Sequence, residues 1–167
     1  MASADTGAYL QVMPARVRVD VGQEFTVTLQ LQGVTNLYGV DARVSFNPNV
    51  VEVVDANAGA AGVQIQRGNF PNASGNWVVK QVADNQVGVA WYAISLNAPA
   101  PGANGSGVLC SIRFRAKANG YTGFKFAEGT LVDTGVERTP VLLLEGSVRV
   151  GEEHLIVLPI LIKLGER

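Results

Sequence analysis

The stretch 38–54, reading YGVDARVSFNPNVVEVV, restricts the fold of this chain more than any other, because it dictates a strand, a break and a second strand in immediate succession. Along it Val40, Ala42, Val44 and Phe46 alternate with Asp41, Arg43 and Ser45. Successive side chains of a strand point to opposite faces, so the pattern reads as a half-buried strand with a charged outer face. Asn47-Pro48-Asn49 ends it, since proline fixes φ and donates no hydrogen bond while asparagine tolerates turn conformations. The chain then re-enters the core with Val50, Val51, Val53 and Val54.

The same grammar runs through the rest of the sequence. No segment sustains apolar spacing of three and four over three turns, so no helix is predicted. Strands are expected at 8–13, 23–32, 37–46, 50–55, 76–83, 86–94, 107–118, 120–127 and 141–150, with a short extra piece at 130–133. Asp84-Asn85 reads as a tight hairpin between Val82 and Val87, and Asn119-Gly120 as another. Loops are expected at 57–62 and 97–105, both rich in Ala, Gly, Pro and Asn. The fold expected is all-β: a nine-stranded, two-sheet β-sandwich with jelly-roll topology over 8–150, preceded by an N-terminal piece at 1–7 and followed by an apolar tail at 151–167. Its inward set is Phe25, Val27, Leu29, Val44, Phe46, Trp77, Val79, Val87, Val89, Trp91, Ile112, Phe114, Phe124 and Phe126.

Composition excludes several functions. The 167 residues, 47% of them apolar, suffice for one domain with a proper core. Thirteen basic and 14 acidic residues nearly cancel, which leaves no broad footprint for nucleic acid or an anionic membrane. Cys110, the only cysteine, allows no intrachain disulfide and reads as a buried structural thiol. His154 is the only histidine and follows the last sandwich strand, so neither a His-based triad nor a multi-histidine metal site can be assembled. Asp41, Glu52, Asp84, Glu128, Asp133 and Glu137 could supply paired carboxylates for glycoside hydrolysis, but solvated surface groups are the commoner reading. Asp55, Asn57 and Asp133 offer hard oxygen ligands at loop ends, against the ordinary role of such residues in turns. The glycine-rich 102–107 segment lacks the lysine and helix of a phosphate cradle and reads as a loop. In the tail, the apolar run 155–162 is too short to span a bilayer. It is β-prone, and is expected to pack on its own domain or to donate a strand, 155–164, to a second copy.

Three segments resemble the cohesin family in the expected order. Phe46, Asn47, Pro48, Asn49 and the VVEVV run at 50–54 match its strand-turn-strand signature, VDVGQEFTVTLQLQGV at 19–34 resembles its opening strand, and GSGVLCSIRFRAKA at 105–118 a later one. The likeness covers residues 9–150, and related carbohydrate-binding sandwiches share the strand grammar. It implies a non-catalytic module that presents the outer face of a sheet, made of its third, fifth, sixth and eighth strands, to a dockerin-like helical partner. Calcium then belongs to the partner, and no cofactor is expected here. The beginning MASADTGAYL has no basic segment and apolar run of a secretory leader, so an extracellular or cell-surface setting is expected from the resemblance alone. Counting back from Asn47-Pro48 puts Asp41 at the centre of that face. By alternation the expected partner-binding set is Asp41, Arg43 and Ser45 on the third strand, Asn76, Val78 and Lys80 on the fifth, Ala90 and Tyr92 on the sixth beside Gly88, and Lys125 on the eighth beside Gly123. Two alternatives stay open: a carbohydrate-binding module, which solvent-accessible Trp77 or Trp91 would favour, and a structural subunit assembling through its C-terminal strand.

Overall fold

A computed structural model describes residues 7–72 and 75–152. The expectations for residues 1–6 and for 153–167, including His154 and the apolar tail, lie outside the described residues. Thirteen strands appear among these residues, where nine were expected: β1 (Tyr9–Met13), β2 (Arg16–Val19), β3 (Glu24–Ser45), β4 (Val51–Val53), β5 (Val63–Gln64), β6 (Gln66–Arg67), β7 (Asn76–Asp84), β8 (Val89–Leu96), β9 (Ala103–Ala116), β10 (Gly120–Asp133), β11 (Arg138–Thr139), β12 (Leu142–Leu144) and β13 (Gly146–Val150).

The segments expected at 23–32 and 37–46 are one strand, β3, bent at its middle. Its first part pairs with β1, Val12 opposite Leu29, and with β9, Phe25 opposite Phe114. Its second part pairs with β8 and β10, Ala42 opposite Tyr92 and Gly129. The bend falls where Gly33 and Asn36 take φ of 64° and 55°, a left-handed conformation that glycine and asparagine tolerate best. Side chains satisfy the backbone there: Gly33 N donates to Ser106 Oγ at 3.0 Å and Asn36 N to Asn104 Oδ1 at 2.8 Å. Residues 103–107, read from sequence as loop, therefore belong to β9 and brace the bend.

Two layers follow from this one strand. The first runs β12-β1-β3-β9, with β4 and β6 beyond β9; the second runs β2-β13-β10-β3-β8-β7-β5. Residues 120–133 form the single strand β10, bulged at Ala127, whereas 141–150 divides at Glu145 into β12 of the first layer and β13 of the second. The short β5, β6 and β11 carry too few residues for a period to be read from sequence, whereas the alternation RVRV of β2 was legible and missed.

Between the layers Leu10, Val27, Leu29 and Leu31 face Val40, Ala42, Val44 and Val148, all buried. Phe114 sits at the centre, its ring 5.5, 5.2 and 4.9 Å from those of Phe25, Phe46 and Phe124. Cys110 is buried in this core, and burial pushes its thiol pKa far up, so the thiol stays protonated.

The Asn47-Pro48-Asn49 break is a turn, with Asn49 N donating to Asn47 Oδ1 at 2.9 Å and Val50 N to Asn47 O at 3.1 Å. The β7–β8 hairpin is wider than expected, closing from Gly88 N to Asp84 O at 2.8 Å. Gly88 has φ of 81°, and a side chain there would collide with the carbonyl oxygen of Phe46. Asn85 ties this hairpin to β4, accepting from Val53 N at 2.8 Å and donating to Val53 O at 2.9 Å.

Two outcomes follow. Phe114→Ala removes the ring on which three others pack, and should cost about 3–5 kcal/mol in urea-induced unfolding. Asp84 accepts from Val87 N and Gln86 N, which hold its carboxyl below the usual carboxylate range. A native pKa lowered in this way stabilises the fold above the unfolded-state pKa and loses that contribution as pH falls through the native one. Asp84→Asn, which cannot titrate, should flatten the drop in melting temperature between about pH 5 and pH 2. An unchanged slope would mean that the hairpin carboxylate contributes nothing to acid sensitivity.

Candidate functional site

Strands β10, β3, β8 and β7 lie side by side in the second layer, so the third, fifth, sixth and eighth strands of the sequence reading are neighbours. Their registers align the outward residues in rows. Val132, Gly39, Ser95 and Trp77 make one row, and Thr130, Asp41, Ala93 and Lys80 the next. Glu128, Arg43, Trp91 and Val82 follow, then Lys125, Ser45, Val89 and Asp84.

Asp41 is at the centre of the second row, beside Arg43 and Trp91 of the third. Its Oδ1 accepts from Trp91 Nε1 at 2.8 Å, and its Oδ2 is 3.3 Å from Arg43 Nη2. The Arg43 guanidinium lies over the Trp91 ring, 4.1 Å from its centroid, and Lys80 Nζ is 5.1 Å from the same centroid. A cation over an indole face is attracted by the ring quadrupole, and a carboxylate bonded to both indole and guanidinium fixes their planes. The unit is thus a preorganised platform, with polar groups at its rim and an aromatic surface already capped by cations.

Beside it the chemistry changes. Gly39, Ala93 and Ser95 leave a shallow groove of ≈ 230 Å³ between Val79 on one side and Thr130 and Val132 on the other. Trp77, 64% exposed, and Val79, 54% exposed, rise at its β7 edge. Large apolar side chains this open, next to small ones, form a patch rather than scattered singles. The cause of Val79's exposure is a β-bulge: register shifts between Val78 and Lys80, so Val79 has no partner on β8 and is pushed outward.

That bulge corrects the sequence reading. Asp41, Arg43, Ser45, Lys80 and Lys125 do point outward on this sheet. Val78 instead pairs with buried Ile94 and packs against the core. Ala90 and Tyr92 are buried at 1% exposure, opposite Val44 and Ala42. Asn76 is half-buried at the strand end, accepting from Arg67 Nη2 at 2.6 Å and donating to Pro71 O at 3.1 Å. Gly88 belongs to the hairpin. Trp77, Val79, Val87, Val89 and Trp91, expected inside, are on the outer side. Tyr92 takes the interior place; burial pushes its pKa up to about 12, and Arg67 lowers it only in part, making no well-formed hydrogen bond to the hydroxyl. The signal that could have found the outward tryptophans was register: Arg43 faces Trp91 across one strand spacing, so the outward phase of β3 carries to β8.

The candidate oxygen ligands serve as turn caps. Asp55 Oδ1 accepts from Asn57 N at 3.0 Å and Gln64 N at 2.9 Å, and these bonds lower its pKa. Asn57 Oδ1 accepts from Gly59 N at 3.1 Å, and Asp133 Oδ1 from Gly135 N at 2.8 Å and Glu137 N at 3.0 Å. Among the described residues no cluster of three or more metal-ligating side chains occurs. No helix among them is long and apolar enough to cross a membrane. Of the candidate carboxylates, Asp41 is engaged by Arg43 and Trp91, Glu52 by Arg115 at 3.5 Å, Glu128 by the hydroxyl of Thr130, and Asp84 and Asp133 by turn amides.

Several solved structures share this architecture. A non-cellulosomal cohesin from the hyperthermophilic archaeon Archaeoglobus fulgidus superimposes with a TM-score of 0.65 at 16% identity, over 89% of this chain and 94% of that one. A type II cohesin domain from the cellulosome of Acetivibrio cellulolyticus gives 0.69 at 15% identity, over 85% and 95%. The third cohesin ScaC of the same organism, solved in complex with the ScaB dockerin, gives 0.67 at 18% identity, over 87% and 99%. At these identities the likeness establishes the fold alone. No curated protein matches the sequence. The family model of the cohesin domain matches residues 10–150, most of the sequence and all of both layers but Tyr9, and the chain belongs to the cohesin domain family.

Proposed function

We propose that this chain is a non-catalytic binding module that holds a dockerin-like helical partner on the outer face of β10, β3, β8 and β7. The observation that carries this reading is the pairing of a fixed Asp41–Trp91–Arg43 platform with an open apolar groove edged by Trp77 and Val79. A flat aromatic and aliphatic patch, ringed by polar groups that exclude water, is the anatomy of an interface hot spot. The partner-binding set is accordingly Asp41, Arg43, Ser45, Trp77, Val79, Lys80, Trp91 and Lys125. Calcium, in this reading, is held by the partner's loops and keeps its helices in shape. The setting is extracellular or cell-surface, as for an assembly module, and we read the strand connectivity as a jelly roll.

Exposure of Trp77 favours a second reading, in which the face stacks on sugar rings. The platform argues against it: Trp91 already has Arg43 over its ring, so only one tryptophan offers a bare face.

Titration calorimetry with calcium-loaded dockerins, repeated in chelator, separates the two. Saturable binding that disappears on chelation is expected. Trp77→Ala should weaken it by about 2 kcal/mol, roughly thirtyfold, and Asp41→Ala by a similar amount through release of Trp91 and Arg43. Undiminished affinity in the folded double variant would reject this face, and heat with neutral glycans in place of dockerins would support the sugar reading.

A further inference from the structure

Among the described residues the first layer ends at β12, which pairs with β1 and with no other strand. Leu142 N donates to Ala8 O at 3.0 Å, and the backbone groups of a strand alternate in direction, so the N–H and C=O of Leu143 point to the open flank. An apolar groove of ≈ 550 Å³ runs along the same edge, lined by Tyr9, Pro140, Val141, Leu142 and Leu144 and, among the described residues, by no charged side chain. Leu142 is 62% exposed and Leu144 40%. Proteins ordinarily guard a sheet edge with charge, as β2 does with Arg16 and Arg18 at the edge of the second layer. An edge reading Leu-Leu-Leu beside a bare groove is instead a template for one more strand.

Chemistry, length and direction single out an occupant within this chain. Residues 1–6, MASADT, hold only Met1 as a large apolar side chain, whereas 155–162, LIVLPILI, are apolar throughout and rich in the β-branched types that strands favour. Glu152, where the described residues end, is eight positions beyond Leu144 and so no more than about 29 Å from it along extended chain. Residues 153–160 span the same length, which lets Ile160, Leu161 and Ile162 reach β12. Proline suits the start of a strand, and Pro159 directly precedes these three. The chain leaves β12 through β13, so a segment returning from Glu152 runs antiparallel to β12, the more stable of the two pairings. Tethered in this way, it meets the edge at an effective concentration that a second copy matches only in the millimolar range.

We propose that residues 160–162 pair with the open flank of β12 as an antiparallel strand of the same chain, seated along the apolar groove, and so close the edge of the first layer. Amide hydrogen exchange of the whole chain, read residue by residue by NMR, tests this against Leu142→Asp/Leu144→Asp and Ile160→Asp/Ile162→Asp variants whose melting temperatures establish that they fold. Each is measured at two protein concentrations, with the mass at both from light scattering. Expected in the parent are a monomer and slowing of about tenfold or more at Leu143 and at 160–162, the same at both concentrations. The groove variant should lose protection at 160–162 and the tail variant at Leu143, while Val44 and Ile112 in the core exchange as slowly as in the parent. The proposal is overturned if 160–162 exchange as fast as an unstructured peptide, if the groove variant leaves their protection unchanged, or if protection appears only as the mass doubles, which would make the strand a second copy's.

Discussion

The rest of the molecule depends on one strand crossing from layer to layer. Because β3 contributes its first half to the β1–β9 ladder and its second to the β8–β10 ladder, the two layers are joined by continuous backbone, and their relative position follows from the bend at residues 33–36. A bend in a strand leaves backbone groups without the partners that a straight ladder would give them. Here side chains take them: Ser106 and Asn104 accept from the backbone of Gly33 and Asn36, and Asn36 Nδ2 donates to Thr134 Oγ1 at 2.8 Å. Those partners come from the start of β9 and from Thr134, just after β10, so the corner that orients the candidate face is held from both sides of β3.

How far the sequence reaches is best seen on β3 itself. Val40, Ala42, Val44 and Phe46 alternate with Asp41, Arg43 and Ser45 as read, because a strand buried on one face imposes its period on its residues. The proline turn after it is equally local and equally legible. What could not be read is phase on strands whose partners were unknown. Trp77 and Trp91 look like core by hydrophobicity, and Tyr92, with its hydroxyl, looks like surface. The structure reverses them because β8 takes its phase from β3 across the ladder and because β7 gains a residue at Val79. A bulge leaves no mark in the one-dimensional pattern beyond a broken alternation, and this run reads WVVKQVA, in which either phase is apolar. The same applies to 141–150, VLLLEGSVRV, where an apolar run leading straight into GSVRV concealed a crossing between layers at Glu145.

The reversal changes what the face can do. With Tyr92 outward the sheet would present one aromatic anchor among small residues. With Trp91 outward it presents an assembled unit, in which Asp41 bonds the indole and the guanidinium while the guanidinium covers the ring. A long arginine side chain ordinarily loses rotamer freedom when a partner docks, at about 0.5–1.5 kcal/mol per immobilised side chain. Arg43 is held before any partner arrives, so that cost belongs to folding and not to binding. The salt bridge alone, between two half-exposed groups, would be worth little; its effect is to align the platform.

Strand β10 carries one side of this platform, and its pairing sets where the candidate face ends. Thr130 neighbours Asp41 at one end of β10, and Tyr121 neighbours Arg149 at the other. Between them the strand changes partner, paired to β3 along 125–130 and to β13 along 121–124, with a bulge at Ala127. The β3-paired part keeps Thr130 and Glu128 in register with Asp41 and Arg43, which fixes one side of the platform. Surface chemistry on the candidate face thus runs from the apolar groove at β7, through the Asp41–Trp91–Arg43 platform, to Lys125 where β10 leaves β3, so one side of the face is apolar and the other charged.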